Sequence, residues 1–235
     1  MDDDSHTFQL LDVRIEDNSP KSLEYDDIDE LLGDSFTDAL NASRYNGNKK
    51  KCTVFLFGRT DNGQSITVHV NGFRPFLFFR KSDFESSNKL VNEIVDEVNR
   101  QETRYFNYIK ATDLEVELVT VKHAYGFEPN EDNTEGKLFD YYKVYFSNKK
   151  SWNAIAKKDN ESNISKKAHE KNVDAITRFF NETNISPLWI TVNAENVYEK
   201  VSTSTIEVEC EYKYVHQAKR SGFAKIRIGY WDIET

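Results

Sequence analysis

Asp232 and Glu234 stand two positions apart at the end of an apolar run. Residues 224, 226, 228 and 230 (Ala, Ile, Ile, Tyr) alternate with Lys225, Arg227 and Gly229, as in a half-buried strand. Side chains at i and i+2 share one strand face, so both carboxylates would point the same way. Two co-facial carboxylates suit a hard divalent cation such as Mg²⁺, which takes oxygen ligands and keeps several waters. In phosphoryl-transfer nucleases such ligands position paired ions that stabilise the attacking and leaving oxygens. A solvated strand end is the other reading of the same pair.

The elements that would position them read as an α+β domain with a mixed β-sheet. Residues 53–58 and 65–70 flank Asp61, Asn62 and Gly63, a hairpin signal because glycine supplies the positive φ of such turns. A mostly apolar segment follows at 72–80. Asp83 is placed to cap a helix running to about Arg100, with Leu90, Val91, Ile94, Val95 and Val98 on one face. Strand alternation returns at 114–118 and 142–146. Helical stretches are expected at 152–158 and 166–181, and strands at 189–192, 206–212 and 225–233.

Charge is unevenly distributed. The formal net charge is −9, yet residues 1–45 hold 13 Asp and Glu against 3 Lys and Arg, whereas the remainder holds 27 against 28. The first 45 residues therefore read as an acidic leader, partly disordered, in which Leu31, Leu32 and Phe36 could alternatively form a docking helix. No run approaches the roughly 18 apolar residues of a membrane span, and the acidic start is unlike a signal peptide. An intracellular protein without a membrane partner is expected. Cys52 and Cys210, far apart in sequence, suggest neither a disulfide framework nor a zinc site. The five histidines show no metal-ligand spacing, and no Ser/His/Asp set or glycine-rich phosphate loop is present.

Trp231, Asp232, Ile233 and Glu234 resemble the first proofreading exonuclease motif of family B DNA polymerases, a strand ending Asp-Ile-Glu. Further segments agree in order: the aromatic run at 72–80, Tyr125-Gly126-Phe127 with the strand at 140–148, the Arg178-Phe179 helix with the strand through Trp189, and the acidic strand at 204–212. Ala175 and Leu188 depart from the pattern, standing where relatives carry Pro and Gly. The resemblance is to the polymerase delta-like enzymes of large DNA viruses and covers roughly residues 52–235.

The resemblance implies the N-terminal region of a DNA-directed DNA polymerase, a nucleotidyltransferase of DNA replication with 3'-5' proofreading. After the acidic leader at 1–45 that the charge pattern marks, it implies an N-terminal domain at 46–222 with RNA-recognition-like and oligonucleotide-binding-like elements. The first strand of the exonuclease domain would lie at 223–235. Asp232 and Glu234 would then be catalytic and Mg²⁺-binding residues of an incomplete exonuclease site. Arg74, Arg80, Lys81, Lys149 and Lys150 become candidate DNA contacts, followed by the lysines at 157, 158, 166 and 167. Phe76, Phe78 and Phe79 read as core before they read as base-stacking residues. Primer-template DNA, the rest of the polymerase and a sliding clamp are the implied partners, in the nucleus or at a viral replication site in the host cell. By itself the chain is expected to be catalytically silent. A non-catalytic standalone nucleic-acid- or protein-binding module is the alternative.

Overall fold

The computed structural model describes residues 5–18, 51–101, 109–122, 136–197 and 200–225. Its strands, in chain order, are β1 (Ser5–Asn18), β2 (Lys51–Arg59), β3 (Ser65–Asn71), β4 (Phe76–Arg80), β5 (Leu114–Lys122), β6 (Leu138–Phe146), β7 (Ala168–His169), β8 (Trp189–Asn193), β9 (Glu195–Asn196), β10 (Ile206–Glu211) and β11 (Val215–Gln217). The helices are α1 (Ser87–Gln101), α2 (Lys149–Ala156), α3 (Asn163–Lys167) and α4 (Ala175–Thr183). Two compact units share these elements, and they interleave in sequence: 1–16, 53–73 and 176–235 in the first, 17–52 and 74–175 in the second. The α+β, sheet-rich architecture is as expected.

The first unit is built on a seven-stranded mixed sheet in the order β11-β8-β1-β2-β3-β10-β9. β3 pairs parallel with β10, in the register Ile66 to Ile206 through Asn71 to Glu211, and antiparallel with β2. That register puts Val54, Leu56, Ile66, Val68, Val70, Val208 and Cys210 on one face, all buried. Each large aliphatic or aromatic side chain buried this way is worth roughly 1.5–3 kcal/mol. Gly58 lies on the same face, and it is a glycine because the Phe8 ring and the Gln9 carbonyl oxygen occupy the space a Cβ would need. The β2–β3 hairpin turns at Gly63, φ +78°, as its sequence signal demands.

β1 departs from the expected acidic leader. Phe8, Leu10 and Ile15 are buried, and Ser5 to Gln9 pair with Asn193 to Trp189 of β8. Asp12, Arg14 and Glu16 are exposed and Asp17 is half-buried, so an acidic average concealed a strand with an apolar face. Residues 218–225 fold back onto the same unit. The Trp189 indole donates to the Gly222 carbonyl at 2.8 Å, the Ala224 amide donates to Gln9 Oε1 at 2.7 Å, and Arg220 lies 4.5 Å over the Trp189 ring while pairing with Asp61. The expected strand at 225–233 lies, beyond Lys225, outside the described residues.

The second unit is a four-stranded antiparallel sheet, β5-β6-β4-β7, with helices α1, α2 and α3. Leu77, Phe79, Val144 and Phe146 of the sheet are fully buried, as are Leu90, Ile94 and Val98 of α1 and Ile155 of α2. The α1 residues recur at helical spacing, which gives the helix its apolar stripe. Phe79 is core and Phe76 is buried on the other face of the sheet, in line with their apolar run, whereas Phe78, expected in the core, is half-buried. The indole of Trp152 in α2 donates to the Phe76 carbonyl at 3.1 Å and so satisfies its polar atom inside that core.

Two helix boundaries differ from the sequence expectation. Ser86 rather than Asp83 caps α1, its Oγ accepting the Lys89 amide at 3.2 Å. Residues 81–83 instead form a 3-10 turn that delivers Phe84, buried, edge-on to Phe79 at 6.0 Å. The helix expected at 166–181 is broken: Ala168 and His169 pair with Phe79 and Phe78 on the free edge of β4, and Glu170 takes φ 57° before α4 begins at Ala175. Edge hydrogen bonds there outweigh local helix propensity.

Candidate nucleic-acid interface

The four-stranded sheet has two faces, and register assigns the side chains. β4 sets Phe76, Phe78 and Arg80 opposite Tyr145, Lys143 and Tyr141 of β6; β5 sets Glu115, Glu117 and Val121 opposite Tyr145, Lys143 and Phe139. These side chains share one face, opposite the face of Leu77, Phe79 and Val144. Phe76 and Tyr141 are buried on it, and Phe78, Phe139 and Tyr145 are half-buried among cations.

Lys143 Nζ lies 4.0 Å above the Phe76 ring and 4.8 Å above Tyr145. Arg80 lies 4.3 Å above Phe139, which Lys137 also approaches at 5.4 Å. Arg74 sits 5.9 Å above Tyr145 and makes a 2.5 Å ion pair with Glu115. Phe76, Phe78, Tyr141 and Tyr145 pack edge-on at 5.4–6.3 Å, the geometry their quadrupoles favour. Each exposed cation–ring contact is worth about 0.5–1 kcal/mol, so the rings hold the cations in place without neutralising them.

The Tyr145 hydroxyl donates to Glu117 at 2.9 Å. Burial raises its pKa, and the Glu117 carboxylate adds to the rise while Lys143 opposes it, so the phenol stays a neutral donor. Lys81, one residue past β4, pairs with Asp140 at 3.2 Å. The hydrogen bond from Thr120 and the Lys81 ammonium together hold the Asp140 carboxyl below its ordinary range.

Arg74 and Arg80 are thus brought to this face, whereas Lys81 pairs with a carboxylate whose register position lies on the opposite one. Lys149 and Lys150 open α2 instead, where their backbone amides donate to the Asp17 carboxylate at 2.6 and 2.8 Å. Asn148 completes that cap by accepting the Ser151 amide at 2.8 Å. Lys166 pairs with Glu161 at 2.9 Å, and Lys167 lies 4.6 Å over Phe84. Lys143, Tyr145 and Phe139 join this face without having been candidates from the sequence. Their signal was present, since residues 139, 141, 143 and 145 of β6 are Phe, Tyr, Lys and Tyr at strand spacing.

Asp232 and Glu234 lie outside the described residues. Among the described residues no group of three or more His, Cys, Asp or Glu could hold a metal ion, and no helix is long and apolar enough to cross a membrane. Cys52 and Cys210 are free and buried. Burial pushes each thiol up to about 12, with nearby acidic groups adding to the rise, so neither is a nucleophile at neutral pH.

A sheet face carrying aromatic rings and cations is the kind of surface on which single-stranded nucleic acids are held, with rings for bases and cations for phosphates. The relatives of this chain are DNA polymerases. It is 23% identical over 241 residues to the DNA polymerase of Phaeocystis pouchetii virus, a match that covers 91% of this chain and 22% of that protein. It is 24% identical over 199 residues to the DNA polymerase of Pyramimonas orientalis virus, covering 80% of this chain and 16% of that one. The chain therefore spans about a fifth of the length of the curated relatives it matches. Among solved structures it is similar to the family B DNA polymerase from the hyperthermophilic archaeon Pyrobaculum calidifontis, at 13% identity and a TM-score of 0.47, over 94% of this chain and 21% of that one. No family model matches. The resemblance to viral DNA polymerases drawn from the residues is thus found again in the relatives.

Proposed function

We propose that this chain is a segment of a family B DNA-directed DNA polymerase, and that its four-stranded sheet guides single-stranded template. The cation-capped aromatic face carries the reading, in a chain whose relatives are viral DNA polymerases. Arg74, Arg80 and Lys143 supply charge for backbone phosphates, and the ring edges of Phe78, Phe139 and Tyr145 supply apolar contact for bases. The carboxylates of Glu115 and Glu117 keep the face from being a pure polycation, which suits transient passage of a strand rather than its retention. Sheet elements of RNA-recognition-like and oligonucleotide-binding-like character belong to the same reading.

Asp232 and Glu234 belong to the same proposal as the first carboxylates of a 3'-5' proofreading exonuclease. They would hold Mg²⁺ together with carboxylates supplied elsewhere in the polymerase, and the ion would supply charge stabilisation for phosphodiester hydrolysis. Primer-template DNA, the rest of the polymerase and a sliding clamp are the partners of such an enzyme, and replication sites in the host cell are its place of action. The isolated chain has no polymerase or exonuclease activity in this reading.

Two experiments test it. Fluorescence anisotropy of labelled single-stranded DNA should show weakened binding by the Arg74→Ala/Arg80→Ala variant, with the slope of log K against log salt reduced by about 1 for each phosphate that is no longer neutralised. Unchanged affinity and slope would refute the interface. In the whole polymerase, Asp232→Ala should abolish excision of a mismatched primer end while leaving extension of matched primers. Equal loss of both activities would remove the exonuclease assignment.

A further inference from the structure

The seven-stranded sheet of the first unit has a second face, opposite Val54, Leu56 and Val68, and it too carries aromatic rings. Phe55 and Phe57 lie on β2, the middle strand of the seven, and both are half-buried. Their ring centroids are 6.4 Å apart with the planes only 17° from parallel. The core face of β2 is already filled by buried Val54 and Leu56, so these phenylalanines are additional to what the core of the sheet uses.

The surroundings hold the pair in place. Register sets His69 opposite Phe55, with its ring edge-on at 4.8 Å, and Thr67 opposite Phe57. His69 Nε2 donates to Glu207 Oε1 at 2.8 Å, and Glu207 also accepts the Val201 and Ser202 amides at 3.0 Å each and the Ser202 hydroxyl at 2.7 Å. His69 is thereby clamped on this same face, and Ser204 of the 201–205 loop bonds Thr67 at 2.7 Å, so the β3 side is buried and the rings of β2 are approached from the β1 side. On the neighbouring strand β1, Arg14 lies 5.7 Å from the Phe57 ring, with 65% of its side chain exposed and Asp12 3.4 Å away. Arg59 shares the β2 face with the two rings.

We infer that Phe55 and Phe57 form a base-stacking platform for single-stranded nucleic acid, with Arg14 and Arg59 at its margin for the phosphates. Two rings two residues apart on a central strand are spaced to take two successive unstacked bases. Arginine beside a ring serves both the stack and the backbone. The exposed carboxylates Asp12 and Glu209 keep the local charge low. Binding here is therefore driven by stacking and has a shallow salt dependence, unlike binding to the arginine- and lysine-capped face of the second unit. Duplex DNA, whose bases are already stacked, is excluded.

The test uses the full chain, labelled oligothymidylate, oligouridylate and duplex DNA, with anisotropy read across a salt series. Phe55→Leu/Phe57→Leu keeps apolar volume and removes the π faces; it should weaken single-strand binding roughly tenfold or more while leaving the salt slope unchanged. Phe57→Tyr keeps the ring and should stay within about twofold of wild type. A preference for either oligonucleotide supports the site and identifies its strand. Wild-type affinity in the leucine variant, equal binding of duplex, or equal loss in Phe57→Tyr overturns it. If the leucine variant melts early, Phe57→Trp decides: the larger ring must hold or tighten binding, and weakening overturns the site. Loss confined to Arg74→Ala/Arg80→Ala overturns this platform and keeps the other interface, whereas loss confined to the phenylalanine variants does the reverse.

Discussion

The two sheets treat their polar groups in opposite ways. In the seven-stranded sheet, Glu207 is buried and accepts four hydrogen bonds, so its charge is consumed inside the structure. In the four-stranded sheet, the cations lie on ring faces at a partly exposed surface, held by contacts worth little individually. One arrangement fixes a loop to a sheet. The other keeps charge available to a ligand, and substitutions should separate the two roles.

The largest effect is expected at Glu207. Glu207→Ala strands His69, the Ser202 hydroxyl and two backbone amides, and should destabilise the fold by about 3–5 kcal/mol in urea unfolding. A change below about 1 kcal/mol would show that the 201–205 loop is not anchored there.

The same carboxylate sets an acid limit. Burial pushes its pKa up, but the hydrogen bonds from Ser202, Val201 and His69 prevail and bring it from 4.5 down to about 2. The folded pKa is thus depressed, so the contribution is full above pH 4.5 and is lost as pH falls towards 2. The shift corresponds to about 3 kcal/mol. Unfolding free energy measured between these limits should fall in the wild type, and the slope should flatten in Glu207→Gln.

A smaller effect belongs to the helix cap of the second unit: Asn148→Ala should cost about 1 kcal/mol, because the Ser151 amide loses its acceptor. The smallest is Arg74→Ala, whose exposed ion pair and ring contact should change stability by about 0.5 kcal/mol or less while still lowering DNA affinity. An Arg74 variant that melts far below wild type would make the aromatic–cation face a structural device and erase the contrast between the sheets.

Much of the fold was legible in residue spacing. The hairpin through Gly63, the apolar stripe of α1 and the strands around 116, 144, 190 and 208 follow from periods of 2 and 3.6, which depend on backbone geometry alone. β1 was hidden because its outward positions are acidic, and composition averages over both faces. The break between α3 and α4 was hidden because a two-residue edge pairing at Ala168 and His169 is a contact with β4, some ninety residues earlier.

The candidate site divides along the same line. Arg74 and Arg80 could be named from an aromatic and basic run, but Lys143, Tyr145 and Phe139 could be joined to them only by the β4–β6 register, which also sends Lys81's partner Asp140 to the opposite face. Lys149 and Lys150 were equally basic in sequence, yet they open a helix whose first amides hold Asp17.

Residue order by itself determined the alternations, turns and caps, the uneven charge and the resemblance to viral DNA polymerases, because each is a property of neighbours along the chain. Tertiary structure alone decided which face of each sheet is core, which cations meet which rings, and that Glu207 is spent internally. Those outcomes depend on strand pairing between distant segments, and a shift of one residue in register would exchange the faces.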